Sequence, residues 1–319
     1  MNLAFLIASI VLSVLPLTCF LFIVWWLDRF DREPVWLVGV SFGWGAIGAV
    51  LIAVILSLIM LVPFTLILGD SAAGAVGAMF IAPLVEEPAK ALILLLIMHS
   101  RHFDNTTDGF VYGAACGLGF AMTENFMYFL DAASSGDATM FFTTVAIRTF
   151  YSATMHAGAS SIIGASLGYI KYTRTLFKWL LPPCAVALAM GMHSLWNSLL
   201  TLEGLVNNFT EGTLVGLNLV LFPLELLFLF SIFGFCIIQE GRLIRRELQD
   251  EVPQTHIKHL SGYFRRFQSG WFPSKIKKEE YLKLTTLLAF RKHQSRQYPS
   301  DTLNKEIDDI RKKISQVLS

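Results

Sequence analysis

Residues 35–69 form an apolar run without one charged side chain, and six further apolar runs share the chain with it. A helix needs about 20 consecutive apolar residues to cross a bilayer core. The runs lie near 3–27, 35–69, 73–98, 109–130, 138–172, 177–201 and 213–239. The predicted fold is therefore all-α, a polytopic transmembrane helix bundle of seven spans. The second and fifth runs are about 34–35 residues long, so each must tilt, break or extend beyond the bilayer. Pro63 is a candidate break in the second, and splitting either run would give eight spans.

Charge supports the same division. Only 15% of the 319 residues are charged, against roughly 25% in soluble domains. Residues 1–240 hold 8 Lys/Arg against 15 Asp/Glu, whereas residues 241–319 hold 17 against 9. The expected organisation is a membrane domain, 1–240, followed by a basic cytoplasmic tail, 241–319. Arg29 and Arg32 follow the first run, Arg101 the third, Lys171, Arg174 and Lys178 the fifth, and Arg242, Arg245 and Arg246 the seventh. The loops after the second, fourth and sixth carry no Lys or Arg. This alternation places the N-terminus outside and the tail in the cytoplasm. The first run lacks a basic leader and reads as an uncleaved anchor. Cys19, Cys116, Cys184 and Cys236 show no paired spacing and read as small core residues.

The tail shows helical periodicity over 277–293 and 301–318, the second opening at Ser300-Asp301-Thr302, an N-cap signal. Aromatic and basic residues mingle at Tyr263-Phe264-Arg265-Arg266-Phe267. Such a segment suits a surface of anionic lipid, or a small helical domain with a cytoplasmic partner. It contains no nucleic-acid-binding module, so nucleic acid is not the expected partner.

Carboxylates inside a bilayer are costly and mark function. Glu86 and Glu87 are adjacent in the third run, with Lys90 one turn on and Pro88 removing a backbone donor between them. Glu124 lies in the fourth run, whose Gly109, Gly113 and Gly117 form a small-residue face for close helix approach. His156 and Arg148 lie in the fifth, with Gly164 and Gly168 beyond. His193 and Asn197 share a face in the sixth, where the amide can orient the imidazole or a reacting carbonyl. Threading the spans alternately brings Glu86, Glu87, Glu124, His156 and His193 to similar depth in the outer half or middle of the bilayer. A shared polar chamber accounts for that alignment better than separate ion pairs do.

Two imidazoles and a carboxylate can hold Zn2+ with one position left for water, and a second carboxylate can serve as general base. Carboxylate and imidazole can also activate water without metal. Asn197 or the unused imidazole would stabilise an oxyanion. No His-Glu-x-x-His, Gly-x-Ser-Gly or Gly-x-Gly-Asp motif is present.

Glu86-Glu87-Pro88-Ala89-Lys90 resembles the Glu-Glu-x-x-Lys motif of the PrsW intramembrane proteases. Phe120 to Glu124 resembles their Phe-x-x-x-Glu motif, His193 to Asn197 their His-containing third motif, and Asp28 to Pro34 their acidic Asp…Glu-Pro loop. The family is related to the type II CAAX prenyl endopeptidases and bacteriocin-processing proteins. The resemblance covers about residues 1–240. It implies a membrane-embedded metallopeptidase of the bacterial cell membrane acting on a membrane-anchored protein, in the best-known members an anti-sigma factor cut on the outer side. Carried over by position, Glu86 and Glu87 are base or ligand, Glu124 and His193 ligand or orienter, and His156 a further ligand. The alternative reading is a proton- or ion-coupled transporter using the same groups as a relay. The internal repeats frequent in transporters are not evident here. A non-enzymatic scaffold, with the acids paired to Lys90 and Arg148, is the third reading.

Overall fold

The computed structural model describes residues 3–173, 176–205, 213–273 and 275–318. Arg174 of the charge pattern lies outside them. All regular structure among the described residues is helical. Helix α1 spans Leu3–Leu27; α2 (Val35–Gly43) runs into α3 (Val50–Leu68) through a π-helical turn, Trp44–Ala49. Next, α4 (Asp70–Val76) runs into α5 (Ala82–Ile97) through a second π turn, Gly77–Ile81. After α6 (Thr106–Ser134), α7 (Ala138–Ile147) runs into α8 (Ala153–Lys171) through a third, Arg148–Ser152. Helices α9 (Leu181–Leu205) and α10 (Thr213–Leu248) complete the bundle, and α11 (Gln254–Leu260), α12 (Lys275–Gln297) and α13 (Asp301–Leu318) follow.

Among the described residues, four stretches are long and apolar enough to cross a membrane: Leu3–Leu27, Val35–Leu68, Leu181–Leu202 and Val220–Leu248. The outer surface is that of a chain solvated by lipid, with Leu51, Ile55, Leu58, Leu66 and Ile67 of α3 exposed. Pro63 does not break the second run, since α3 continues through it. At 1.5 Å per residue, Val35–Leu68 is about 50 Å long, so tilt or overhang takes up the excess. The cysteines are all free, but only Cys116 and Cys236 are core residues. Cys19 and Cys184 are exposed, which an apolar solvent tolerates.

Helix α6 is the axis of the bundle, and glycine lets its neighbours approach. A Cβ at Gly109, Gly113 or Gly117 would strike the carbonyl of Gly164, Ser160 or His156 on α8. On the other side, one at Gly119 would strike Phe42 of α2, and one at Gly45 the Cys116 carbonyl. This backbone-to-backbone approach fixes Glu124 and His156 relative to one another.

Each π turn has a carbonyl capped by a neighbouring helix. Thr123 Oγ1 donates to Ala46 O at 2.7 Å and Asn125 Nδ2 to Arg148 O at 3.3 Å. Ser194 Oγ donates to Met79 O at 2.6 Å and Asn197 Nδ2 to Ala78 O at 2.9 Å. A π turn inserts a residue, and such insertions concentrate at functional sites. Here two of them immediately precede the segments bearing Glu86 and His156.

Helix α10 runs without interruption through residue 240. Its end joins α11–α13 in an apolar core that includes Phe30, Ile244, Leu248, Tyr281, Phe290, Ile307, Ile310 and Ile314. Tyr263 Oη donates to the Leu27 carbonyl at 2.6 Å, tying this core to the end of α1. Helix α12 is longer at both ends than the expected 277–293, and Asn304 N donates to Ser300 O, so α13 starts where the N-cap signal lies.

Candidate functional site

The third run delivers its polar groups on α5, where Glu87 and Lys90 are wholly buried and Glu86 keeps 12% of its side chain exposed. Lys90 Nζ lies 2.8 Å from Glu87 Oε1 and 3.6 Å from Glu86 Oε2. The lysine therefore pairs first with Glu87, three residues back, rather than with Glu86, which shares its face at four-residue spacing. Lys90 Nζ also lies 2.9 Å from His156 Nδ1 and 4.0 Å from the centre of the Phe120 ring.

His193, on α9, turns its Nδ1 to Glu87 Oε1 at 2.8 Å, and Glu86 Oε2 is 3.8 Å away. The two imidazoles meet edge to face with centroids 4.7 Å apart. His156 Nε2 lies 2.7 Å from Glu124 Oε2, which is 2.8 Å from Arg148 Nη2. Both approaches to that oxygen are oblique, as ion pairs rather than linear hydrogen bonds. The result is one connected chain: Arg148, Glu124, His156, Lys90, Glu87, His193. It joins α5, α6, α8 and α9 with the third π turn, so the residues expected to share a chamber do meet.

The partners fix the proton positions. An ammonium only donates, so His156 Nδ1 accepts from Lys90, and the imidazole proton sits on Nε2, facing Glu124. Both nitrogens of His156 are thereby engaged. His193 donates from Nδ1 to Glu87, which leaves Nε2 as the basic nitrogen. Glu86 Oε2 and Glu87 Oε2 are buried without a hydrogen-bond partner.

Ligand atoms of Glu86, Glu87, His156 and His193 lie within 4.8 Å of one another. Two carboxylates with orphaned oxygens and two imidazoles make a donor set that fits a divalent metal. Glu124 stands one step outside, beyond His156 and neutralised by Arg148. Asn197 is not turned to the imidazole, which Glu87 orients; its amide is spent on the Ala78 carbonyl one helix away. Lys90 is the group the sequence undervalued. Placed one turn on from the glutamate pair, it is the bridge between Glu87 and His156, and its three-residue spacing from Glu87 was the available signal. Glu225 on α10 also escaped notice. It lines an apolar groove of about 320 Å³ between α9 and α10, with Met155, Met192, Leu195, Trp196 and Leu221. Met155 and Met192 immediately precede the two histidines.

An all-helical chain with membrane-length helices around a buried carboxylate–imidazole cluster is an integral membrane protein of the intramembrane-site class. Residues 33–229 match the sequence profile of the PrsW family intramembrane metalloproteases, and the chain belongs to that family. It is 31% identical over 157 residues to Protease PrsW of Bacillus subtilis (strain 168), covering 48% of this chain and 65% of that protein. Against Protease PrsW of Clostridioides difficile (strain 630) it is 35% identical over 118 residues, covering 37% and 48%. Against that of Oceanobacillus iheyensis it is 31% identical over 124 residues, covering 39% and 54%. The chain thus spans less than two thirds of the length of each of these relatives. No solved structure matches it.

Proposed function

We propose that this chain is an intramembrane endopeptidase that hydrolyses a peptide bond of a membrane-anchored protein with water activated at Glu86, Glu87 and His193. The observation that carries the reading is the buried Glu87–His193 pair, 2.8 Å apart, beside a Glu86 that retains a free oxygen. Glu87, balanced by Lys90, holds His193 in the tautomer with Nε2 available. Glu86 is the least committed carboxylate and acts as general base. Water attacks the scissile carbonyl carbon, forming the C–O bond, and its proton passes to Glu86. When the C–N bond breaks, that proton goes to the leaving amine. Glu124, Arg148 and Lys90 hold His156 in place from either side.

Zinc is the proposed cofactor. The orphaned oxygen of Glu87 and Nε2 of His193 would hold it, with His156 a further donor if it gave up Lys90 or Glu124, and Glu86 would stay free as the base. Glu124 takes the part of a positioning group rather than a ligand, and Asn197 that of a support for the turn before Glu86. A bound ion of this kind polarises a carbonyl and activates water.

The α9–α10 groove is the proposed lateral route for a single-span substrate, and a membrane-anchored anti-sigma factor is a candidate. Seven spans, an outside N-terminus, a protease domain over 1–240 and a cytoplasmic tail over 241–319 are supported by the Lys/Arg alternation. A bacterial cell membrane is the proposed location. The test uses purified protein in liposomes with a single-span substrate. Glu86→Ala, Glu87→Ala and His193→Ala should each abolish cleavage. Cleavage surviving in all three would place the site elsewhere, and substrate-driven proton flux without cleavage would support a transporter.

A further inference from the structure

The loop between α1 and α2 carries Asp28 and Glu33, which the proteolytic reading leaves without a use. Both fold against Asp108 in the first turn of α6, and one carboxylate oxygen of each lies within 4.8 Å of the others. Asp28 and Asp108 are 1% exposed and Glu33 5%. Glu240 of α10, also buried, reaches the same first turn of α6, where Thr107 next to Asp108 donates to it.

The donors nearby satisfy only part of this cluster. Asp108 Oδ2 accepts from the backbone N–H groups of Asp104 and Asn105. Glu33 accepts from the Tyr112 hydroxyl, and Glu240 Oε2 from Thr107 Oγ1 at 2.8 Å. Asp28 Oδ2, Asp108 Oδ1 and Glu240 Oε1 are buried with no partner at all. Among the described residues, no Lys, Arg or His forms an ion pair with any of the four. Arg266, whose charge reaches Glu240, Asp31 and Asp28, instead covers the Phe30 ring and donates to Thr286. Buried carboxylates that no ion pair neutralises are too costly to remain all ionised, even with Arg266 nearby. Either they share protons or a cation sits among them.

We infer that Asp28, Glu33 and Asp108, with Glu240 beside them, form a binding site for a hard divalent cation of the Ca2+ or Mg2+ kind, which ties the α1–α2 loop to α6 and α10. The donors are all oxygen, the set that suits such ions rather than zinc. Carboxylates from the α1–α2 loop and α6 converge where packing alone would have placed apolar groups, and Asp28 and Asp108 each keep an unpartnered oxygen there. The site is separate from the glutamate–histidine cluster, because Asp108 precedes Glu124 by sixteen residues on the straight α6, about 24 Å at helical rise.

The test is thermal unfolding of the purified full chain, stripped with chelator and titrated with Ca2+, Mg2+ or Mn2+. The wild-type midpoint should rise with the logarithm of cation concentration for at least one of these ions. Asp28→Asn and Glu33→Gln should remove the rise, and His193→Ala should keep it. If the acids share protons instead, the wild type will not respond, and Asp28→Asn will melt above it in chelator. Tb3+ luminescence decides the matter without variants. Tyr112 on Glu33 and Trp25, whose indole N–H donates to the Glu33 carbonyl at 2.8 Å, are antennae at the site. Emission sensitised by them and quenched by Ca2+ supports the proposal. A wild type that neither shifts nor sensitises Tb3+ overturns it. So does a response that persists in both carboxamide variants or vanishes with His193→Ala alone.

Discussion

Glu87 and His193, 106 positions apart in sequence, meet at 2.8 Å with neither side chain open to solvent beyond 1%. The pair couples α5 to α9 and sets which imidazole nitrogen faces the reacting groups. Glu87→Gln keeps the shape but removes the charge that Lys90 and His193 both use. Expected is a fall in kcat of about 10²–10⁴-fold, the range for a lost acid–base function. Breaking a buried pair also costs about 3–5 kcal/mol of stability. Turnover of a single-span substrate and thermal unfolding, measured together, separate the two effects.

Lys90→Met leaves Glu87 and Glu86 without their cation while freeing His156 Nδ1. Activity should be lost, yet metal retained after purification should not fall, because a competing positive charge has gone. Elemental analysis of wild type and variant checks this, with chelator as control. Metal that disappears with Lys90→Met would contradict the assignment of Lys90 as a positioning group.

Gly113→Leu places a side chain against the Ser160 carbonyl, with no flexible neighbour to yield. Overpacking of this kind costs about 1–3 kcal/mol, and it should push α6 from α8, separating Glu124 from His156 and lowering activity. Gly39→Ala, with open space around it, is the neutral control. Parallel melting curves and cleavage assays make the comparison.

The tail has its own pH dependence. Glu251 receives Arg311 at 2.7 Å and Lys292 at 2.6 Å. Hydrogen bonds from Arg311, and then from Lys292, hold its carboxyl down to about 2. A folded-state value below the unfolded one means that the contribution is complete above the ordinary glutamate range and fades as pH falls from there towards 2. Hydrogen exchange in α13, corrected for its intrinsic pH dependence, should accelerate across that window. Glu251→Gln should flatten the response and weaken α13 packing at neutral pH.

The helices and their order were readable because a bilayer forces long apolar segments, and the polar residues within them stand out for the same reason. Glu86, Glu87, His156 and His193 could be found as a set since each violates its surroundings. The pairing within the set was not readable. The π turns before α5 and α8 shift the face each helix turns to its neighbours by an inserted residue, and no local sequence signal announces them. Asn197 was misread on similar grounds. Sharing a face with His193 says nothing about the Ala78 carbonyl that a π turn on another helix presents. Pro63 looked like a break because proline usually ends helices in water, whereas α3 has no water to offer its freed carbonyl.

The central claim is that Glu86 takes the proton of the attacking water. Single-turnover cleavage of a single-span substrate by Glu86→Gln, with substrate binding measured in the same preparation, tests it most directly. The account predicts unchanged binding and a cleavage rate lower by about 10²–10⁴-fold. Cleavage by Glu86→Gln at the wild-type rate would contradict it.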